Sequence, residues 1–186
     1  KEKSLDKIRK RVSSCKKCSL YKERKNTVFG KGDINTRLLF IGEAPGKEED
    51  LIGEPFVGRA GILLTKIINS IGFERKDIYI ANCIKCRPPL NRPPSEDELR
   101  QCEEYLIEQI KIINPKLICT LGKYATLNLL KIEEPISSLR GNFYEYLGIK
   151  VIPTFHPAYL LRNPRDKALV WEDMKKIRSF LKNESI

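Results

Sequence analysis

The chain has 186 residues, of which 41% are hydrophobic and 32% charged, which suits one globular domain over residues 1–186. No apolar run approaches the roughly 20 residues that cross a bilayer, and the charged first eleven residues are not a signal peptide, so we expect a soluble, cytoplasmic protein. The net charge of +11 favours a polyanionic partner such as nucleic acid, so we expect the protein to be nucleoid-associated, although a composition rich in Lys, Ile and Glu is also typical of thermophiles.

Four short apolar runs predict buried strands, and helical patterns lie between them. The strands are predicted at residues 38–41, 78–81, 117–121 and 151–154. Helices are predicted at 61–71, from the capping box at 95–98 to 113, at 124–130 and at 167–181. This alternation predicts a three-layer α/β/α sandwich around a central four-stranded, mostly parallel sheet. Cys119 falls inside the third strand and is expected to be a buried core thiol.

The other cysteines suggest a metal centre. Cys15 and Cys18 form one CxxC pair, and Cys83 and Cys86 form a second. A two-residue spacing lets one turn aim two sulfurs at the same ion, so spacing alone favours a tetrahedral zinc site on these four thiols. An iron–sulfur cluster that uses Cys102 in place of Cys83 is the alternative, whereas a reducing compartment disfavours disulfides. The spacing does not decide between the two centres.

Three polar segments follow predicted strands, where ligands bind in folds of this class. The turn GEAPG at residues 42–46 follows the first strand, Asn82 follows the second, and Phe155, His156 and Pro157 follow the last. We therefore expect these segments to converge in space. Residues 87–94, which include four prolines, are predicted to form an ordered loop.

Four sequence blocks carry a resemblance to a known family. They are GEAPGKEED at 42–50, PFVGRAG at 55–61, NCIKCRPPLNR at 82–92 and HPAYLLR at 156–162. In this order, and together with the cysteines, they resemble the family 4 (type a) uracil-DNA glycosylases over nearly the whole chain. The resemblance implies an enzyme that flips uracil out of DNA and hydrolyses its N-glycosidic bond, leaving an abasic site for base excision repair.

The resemblance also implies the metal centre and the uracil-binding residues. The centre would be a 4Fe-4S cluster, with zinc as the alternative, that ties residues 1–30 to the body of the domain; its ligands would be Cys15, Cys18, Cys86 and Cys102. His156, the only histidine, would donate to uracil O2 as negative charge develops there. Asn82 would read the Watson–Crick edge of the flipped base with its amide, and Phe56 would stack on the base.

The GEAPG turn is expected to approach the base closely through its backbone. Its uracil-binding candidates are Glu43, Ala44 and Pro45. Glu43 and Glu49 are the candidate catalytic carboxylates, either of which would orient water or balance the cationic sugar. Related families place an Asp or Asn at the position of Ala44 to hold the attacking water, which an alanine side chain cannot do.

The segment at residues 156–162 is expected to be a loop that contacts DNA. Apolar side chains fill or wedge the base stack in bent DNA, so Leu160 or Leu161 is expected to insert while arginines meet phosphates. The DNA-binding candidates are Tyr159, Leu160, Leu161, Arg162, Arg59 and Arg87, with Arg92 and Arg165 nearby.

The favoured interpretation is a monofunctional glycosylase without lyase activity, because no lysine stands out as a Schiff-base nucleophile. We expect a monomer acting on single- or double-stranded uracil-containing DNA, with replication or repair proteins as further partners. One alternative is a non-catalytic uracil-DNA binding protein; a related branch captures DNA through a histidine in an insert after Cys86, which this chain lacks. The other is an iron–sulfur electron-transfer protein, which leaves the GEAPG turn and the charge unexplained.

Overall fold

A computed structural model describes residues 1–184, in which six strands form one sheet. The strands are β1 (Lys31–Gly32), β2 (Leu38–Gly42), β3 (Tyr79–Asn82), β4 (Leu117–Leu121), β5 (Tyr144–Tyr146) and β6 (Ile149–Thr154). Their spatial order is β1-β3-β2-β4-β6-β5. The central four run parallel, and the edge strands β1 and β5 pair antiparallel with β3 and β6.

The sheet therefore has six strands rather than the predicted four. The parallel core consists of the strands that the apolar runs predict, because strands buried on both faces read as continuous hydrophobic segments. The additional strands β1 and β5 have only two and three residues, each paired on one side, and neither contains a buried residue. Their hydropathy therefore does not mark them as strands.

Helices cover both faces of the sheet, which confirms the predicted three layers. They are α1 (Glu2–Ser13), α2 (Lys47–Ile52), α3 (Arg59–Ser70), α4 (Glu96–Ile113), α5 (Lys123–Leu130), α6 (Ile136–Leu139), α7 (Pro157–Arg162) and α8 (Lys167–Asn183). Alternate strand residues serve opposite layers: Leu39 and Ile41 pack with α1, α4 and α5, whereas Leu38 and Phe40 pack with α3, α7 and α8.

Residues 157–162 form the short helix α7 instead of the predicted loop. Pro157 occupies the first helical position, where its missing N–H costs nothing, and His156 caps the helix with its side chain. The N-terminal segment is also well anchored. Helix α1 buries Leu5, Ile8 and Val12 against α4 and the sheet. Apolar packing along the helix therefore holds this segment, and Cys15 packs against the same cluster.

No helix within residues 1–184 combines the length and the apolar character needed to cross a bilayer.

Candidate active site

A cleft of about 680 Å³ opens where the four parallel strands end. Each strand contributes to its wall: Glu43 follows β2, Asn82 ends β3, Gly122 follows β4, and His156 lies just beyond β6. The parallel direction of these strands brings their carboxyl ends to one edge of the sheet. The predicted convergence of the three polar segments is therefore observed.

Most of the predicted site residues line this cleft, namely Glu43, Ala44, Pro45, Glu49, Phe56, Arg59, Asn82, His156, Tyr159 and Arg162. Leu160 does not, because its side chain is fully buried in the layer formed by α3, α7 and α8. The structure thus corrects its predicted contact with DNA. Leu161 is 38% exposed and stays available, whereas the Arg87 guanidinium is turned to Asn91, whose Oδ1 accepts from Arg87 Nε at 2.6 Å.

Asn82, at the wall of the cleft, has an unsatisfied amide oxygen. The side chain is buried, yet Oδ1 has no hydrogen-bond partner among the described residues. Buried amide oxygens are nearly always paired, so an orphan at the wall of a cleft indicates a ligand position. Gly42 lies directly behind it: a Cβ there would overlap Asn82 Oδ1 and come within 2.6 Å of the Phe56 ring. Only glycine leaves room for both groups.

Phe56 is held in an unusual backbone conformation. Its φ of 53° is in the left-handed region, which costs a non-glycine residue about 1–3 kcal/mol. The Arg75 guanidinium stabilises it by donating to the Phe56 carbonyl oxygen at 3.0 Å and to that of Pro55 at 2.7 Å. On the other side Gly61 of α3 touches the Phe56 backbone so closely that no Cβ fits. The ring is thereby fixed with its centroid 5.6 Å from that of His156.

His156 is a neutral hydrogen-bond donor. Its Nδ1 accepts the Ala158 backbone N–H at 3.0 Å, which leaves the proton on Nε2. Burial, and then the positive charge of Arg162, lower the pKa of His156 to about 4. A Cβ on Gly122, whose φ is +86°, would lie 2.8 Å from the Cβ of His156. The backbone of Gly122 therefore packs directly against the base of the His156 side chain.

The two predicted carboxylates have different surroundings. Both oxygens of Glu49 are occupied by backbone N–H groups: Oε1 accepts from Val57 at 2.9 Å and Gly58 at 3.1 Å, and Oε2 accepts from Gly46 at 3.1 Å. Glu49 thus fixes the GEAPG turn to the segment that leads into α3. Burial raises the pKa of Glu43 to about 7, in the range expected of a catalytic acid or base at neutral pH.

Several residues that line the cleft are absent from the sequence predictions. Lys123 and Tyr124 follow β4, and the rule that located the other segments at strand ends applies equally to this strand. Lys47 lies beside the GEAPG turn, and with Arg59, Arg162 and Lys123, which are all exposed, it gives the cleft a basic lining. Such a rim is suited to the phosphates of a nucleic acid.

A second, much smaller cavity of about 20 Å³ lies between the turn after α1 and the start of α4. Cys15, Cys18, Cys86 and Cys102 all line it, whereas Cys83 does not. No group of three His, Cys, Asp or Glu side chains in residues 1–184 is arranged to hold one metal ion. Cys119 is buried inside β4, as predicted.

Two cations flank these cysteines. Arg24 Nη1 donates to Cys86 Sγ at 3.1 Å. Lys85 is almost completely buried and its Nζ donates to the backbone oxygen of Asn82 at 2.9 Å; burial lowers the pKa of this lysine to about 8. Lys85 thus connects the cysteine cavity, which it lines, with Asn82, which lines the cleft. Nothing in the sequence marks it, because lysine is normally exposed.

Comparisons with known proteins identify the family. Residues 29–175 match the family model of the uracil DNA glycosylase superfamily. The chain is 46% identical to the type-4 uracil-DNA glycosylase of Thermotoga maritima, over 99% of this chain and 98% of that protein. It is 46% identical to the type-4 enzyme of Saccharolobus solfataricus, over 98% and 89% of the two chains, and 48% identical to that of Sulfurisphaera tokodaii, over 94% and 84%. The chain therefore belongs to the type-4 branch of the uracil-DNA glycosylase superfamily.

Proposed function

We propose that this protein is a monofunctional uracil-DNA glycosylase that extrudes uracil from DNA and hydrolyses its N-glycosidic bond, leaving an abasic site. The observation that carries the proposal is the convergence of Asn82, His156, Phe56 and Glu43 on one cleft with a basic lining. Membership of the type-4 branch supports the same activity, since the relatives are named for it. The four side chains match the needs of the reaction one by one.

Asn82 is proposed to select uracil. Its amide offers an acceptor and a donor side by side, which complement uracil N3–H and O4. The unpartnered Oδ1 supplies the acceptor. Cytosine has an acceptor at N3 and a donor at N4, so it would leave the buried amide unsatisfied, at a cost of about 1–3 kcal/mol for each unmade bond.

His156 is proposed to stabilise the departing base. As the glycosidic bond breaks, negative charge spreads onto uracil O2, where the Nε2–H of a neutral imidazole donates a hydrogen bond. The Ala158 N–H fixes that tautomer in advance, so little reorganisation accompanies the reaction. Phe56 supplies a rigid apolar surface on which the extruded base stacks, since its backbone is fixed by Arg75 and its ring by Gly42.

Glu43 is proposed as the carboxylate that supports hydrolysis. Ala44 has no group with which to hold water, and Glu49 is committed to backbone N–H groups. Glu43 lines the cleft, and its raised pKa reflects a desolvated carboxylate able to accept a proton from water or to balance the cationic sugar. Arg59 and Arg162 would meet phosphates, and Leu161 would contact bases from α7.

The cysteine cavity is proposed to hold a 4Fe-4S cluster on Cys15, Cys18, Cys86 and Cys102. An all-thiolate donor set suits iron–sulfur chemistry. Zinc on the same four thiolates is the alternative, since a tetrahedral all-cysteine set also suits that ion. With four protein ligands the cluster would serve as an anchor for the segments that carry Asn82, and the chemistry would take place in the cleft.

Uracil release under single-turnover conditions tests this proposal. Single-stranded DNA with one uracil is incubated with protein and then treated with alkali, which breaks the strand at an abasic site. His156→Ala should slow release about 10²–10³-fold, as expected for loss of one preorganised donor. His156→Asn keeps a side-chain acceptor that can cap α7. A loss of uracil release that this variant shares with His156→Ala is therefore not caused by loss of the helix cap.

A second variant tests the assignment of Asn82. Asn82→Asp should lower release of uracil and raise release of cytosine, because a protonated carboxyl group donates where the amide accepted. The control is Asn183→Asp, which makes the same substitution at an exposed position at the end of α8. Unchanged release by both His156→Ala and Asn82→Asp would refute the assigned site, and strand breaks before alkali would refute a monofunctional enzyme.

A further inference from the structure

Leu90 stands at the tip of the proline-rich loop between β3 and α4 and is 95% exposed. A single exposed leucine is ordinary on a protein surface. This one is notable for its position, because its neighbours Pro88, Asn91 and Arg92 line the cleft. The side chain of Leu90 therefore stands at the rim of the proposed uracil pocket, with nothing of the described chain covering it.

The backbone at this tip is unfavourable for leucine. Leu90 has a φ of 55° and Asn91 a φ of 56°, both in the left-handed region. Asparagine is often found there and leucine rarely, so turn geometry does not account for a leucine at position 90. Leu147 has a similar φ, so it is the position of Leu90 beside the cleft, more than its backbone conformation, that points to a contact outside the chain.

The loop holds this conformation firmly. Arg87 Nε donates to Asn91 Oδ1 at 2.6 Å, which bridges the base of the tip. Arg92 makes a two-bond ion pair with the buried Glu98 carboxylate, at 2.8 and 2.6 Å. Four prolines within residues 87–94 restrict the backbone further. An apolar tip that is rigid before binding loses little conformational entropy when it is buried against a partner.

The chemistry of the tip fits DNA bases. Apolar side chains that enter a base stack do so beside a cleft or groove, with cations nearby for the phosphates. Leu90 has the proposed uracil cleft beside it, and the exposed cations Lys47, Arg59, Lys123 and Arg162 on the lining of that cleft are available for phosphates. Helix α7, on the same cleft, offers only Leu161 for this purpose, because Leu160 is buried.

We propose that Leu90 is an apolar wedge that enters the base stack of double-stranded DNA beside the extruded uridine. The inference rests on the proposed function. In a duplex the gap left by uracil must be kept open against restacking with the complementary strand, whereas in a single strand it need not be. Leu90 is accordingly a determinant of activity on duplex DNA and not of the bond-breaking step.

The test variant is Leu90→Asn, which removes the apolar side chain and suits a positive φ, so folding should not be weakened. Leu147→Asn is the matched control: Leu147 has a φ of 52°, is 53% exposed, and lies in the β5–β6 turn, away from the cleft-lining residues. For Leu90→Asn, kcat/KM should fall about tenfold on duplex DNA and stay within about twofold on single-stranded DNA. Leu147→Asn should match the parent on both.

A binding measurement supplies an independent readout. The fluorescent base 2-aminopurine, placed beside a non-hydrolysable uridine analogue in a duplex, brightens when its stacking is disturbed. Leu90→Asn should reduce the increase that the parent protein produces. The wedge is overturned if Leu90→Asn loses activity equally on both substrates, if it loses none, or if the parent is inactive on duplex DNA. If the parent released uracil from neither single-stranded nor duplex DNA, the proposed function itself would be refuted.

Discussion

The cleft and the cysteine cavity lie at the two ends of one short segment, residues 82–86, yet they are built in opposite ways. The cleft is about 680 Å³, and at its wall Asn82 Oδ1 has no partner among the described residues. The cysteine cavity is about 20 Å³, and Arg24 already donates to one of its thiols. A site for a transient ligand keeps polar groups unpaired until the ligand binds. A site for a resident metal group instead encloses the side chains that would hold the metal.

The two regions are nevertheless connected. Lys85 lies between them, with its Nζ on the carbonyl oxygen of Asn82 and its neighbour Cys86 at the cysteine cavity. If the cysteine region is an anchor and the cleft is the reaction centre, then damage to the first should lower stability, damage to the second should change chemistry, and damage to the link should do some of both.

The largest expected effect follows from loss of a cysteine ligand. Cys86→Ser should abolish the visible absorbance of an iron–sulfur protein and lower Tm by more than about 10 °C, because metal-binding free energy is folding free energy. Cys83→Ser is the matched control from the same CxxC pair, since Cys83 is buried but does not line the cavity. It should keep both the absorbance and the release of uracil.

Metal analysis and absorbance spectra of the purified proteins check this expectation. Colourless parent protein with one zinc per chain would replace the cluster with a zinc site. Loss of colour in Cys83→Ser, with retention in Cys86→Ser, would reverse the ligand assignment.

An intermediate effect is expected at the link. Lys85→Met keeps most of the apolar stem and removes the ammonium group that donates to Asn82. Uracil kcat/KM should fall about 10–100-fold, the range typical of residues that orient a ligand shell, and iron should be lost to a chelator faster. Lys22→Met, at an exposed position on the N-terminal segment, is the control. If only one of the two readouts changes, the regions are independent and Lys85 does not couple them.

The smallest effect concerns the cleft alone and appears as a pH dependence. With the pKa of Glu43 at about 7 and that of His156 at about 4, the acidic limb of the kcat/KM profile should come from Glu43. Activity rises as the carboxylate forms, so the ratio of parent to Glu43→Gln should increase about tenfold from pH 6 to pH 8. If the acidic limb of the profile were unchanged in Glu43→Gln, a group other than Glu43 would be responsible for that limb.

The same shift acts on stability with the opposite sign. A folded-state pKa of about 7 against an ordinary 4.5 means that the stabilising proton is present at low pH and is lost as pH rises through about 7. The free energy of unfolding of Glu43→Gln, relative to that of the parent, should therefore increase as pH rises from 4.5 to about 7. Denaturant unfolding at several pH values measures it, with no effect expected on the cysteine region.

Much of the cleft follows from the sequence because one physical rule governs it. Buried parallel strands appear as apolar runs, and the residues after them must meet at one edge, which places Glu43, Asn82 and His156 together. The edge strands β1 and β5 escape this logic because they are short and paired on one side. Adjacent Leu160 and Leu161 also escape it, because only the helical turn of α7 decides which one faces the core.

The supporting residues are harder to find from the sequence. Arg75 acts on Phe56 across 19 positions, and Lys85 is a buried lysine between two cysteines, contrary to the ordinary preference of lysine for solvent. The positive φ of Leu90 is likewise a property of the folded loop, since leucine rarely adopts it. Local pattern identifies groups that touch the ligand more readily than groups that hold them in place.

The glycines behind the cleft have a consequence for its behaviour on heating. Gly42, Gly61 and Gly122 place bare backbone against Asn82, Phe56 and His156, where other proteins would pack side chains. A side-chain wall gains rotamers as temperature rises, but a backbone wall has none to gain. We therefore expect the shape of the pocket to stay constant up to the temperature at which the whole fold melts, so that activity and fold should fail together.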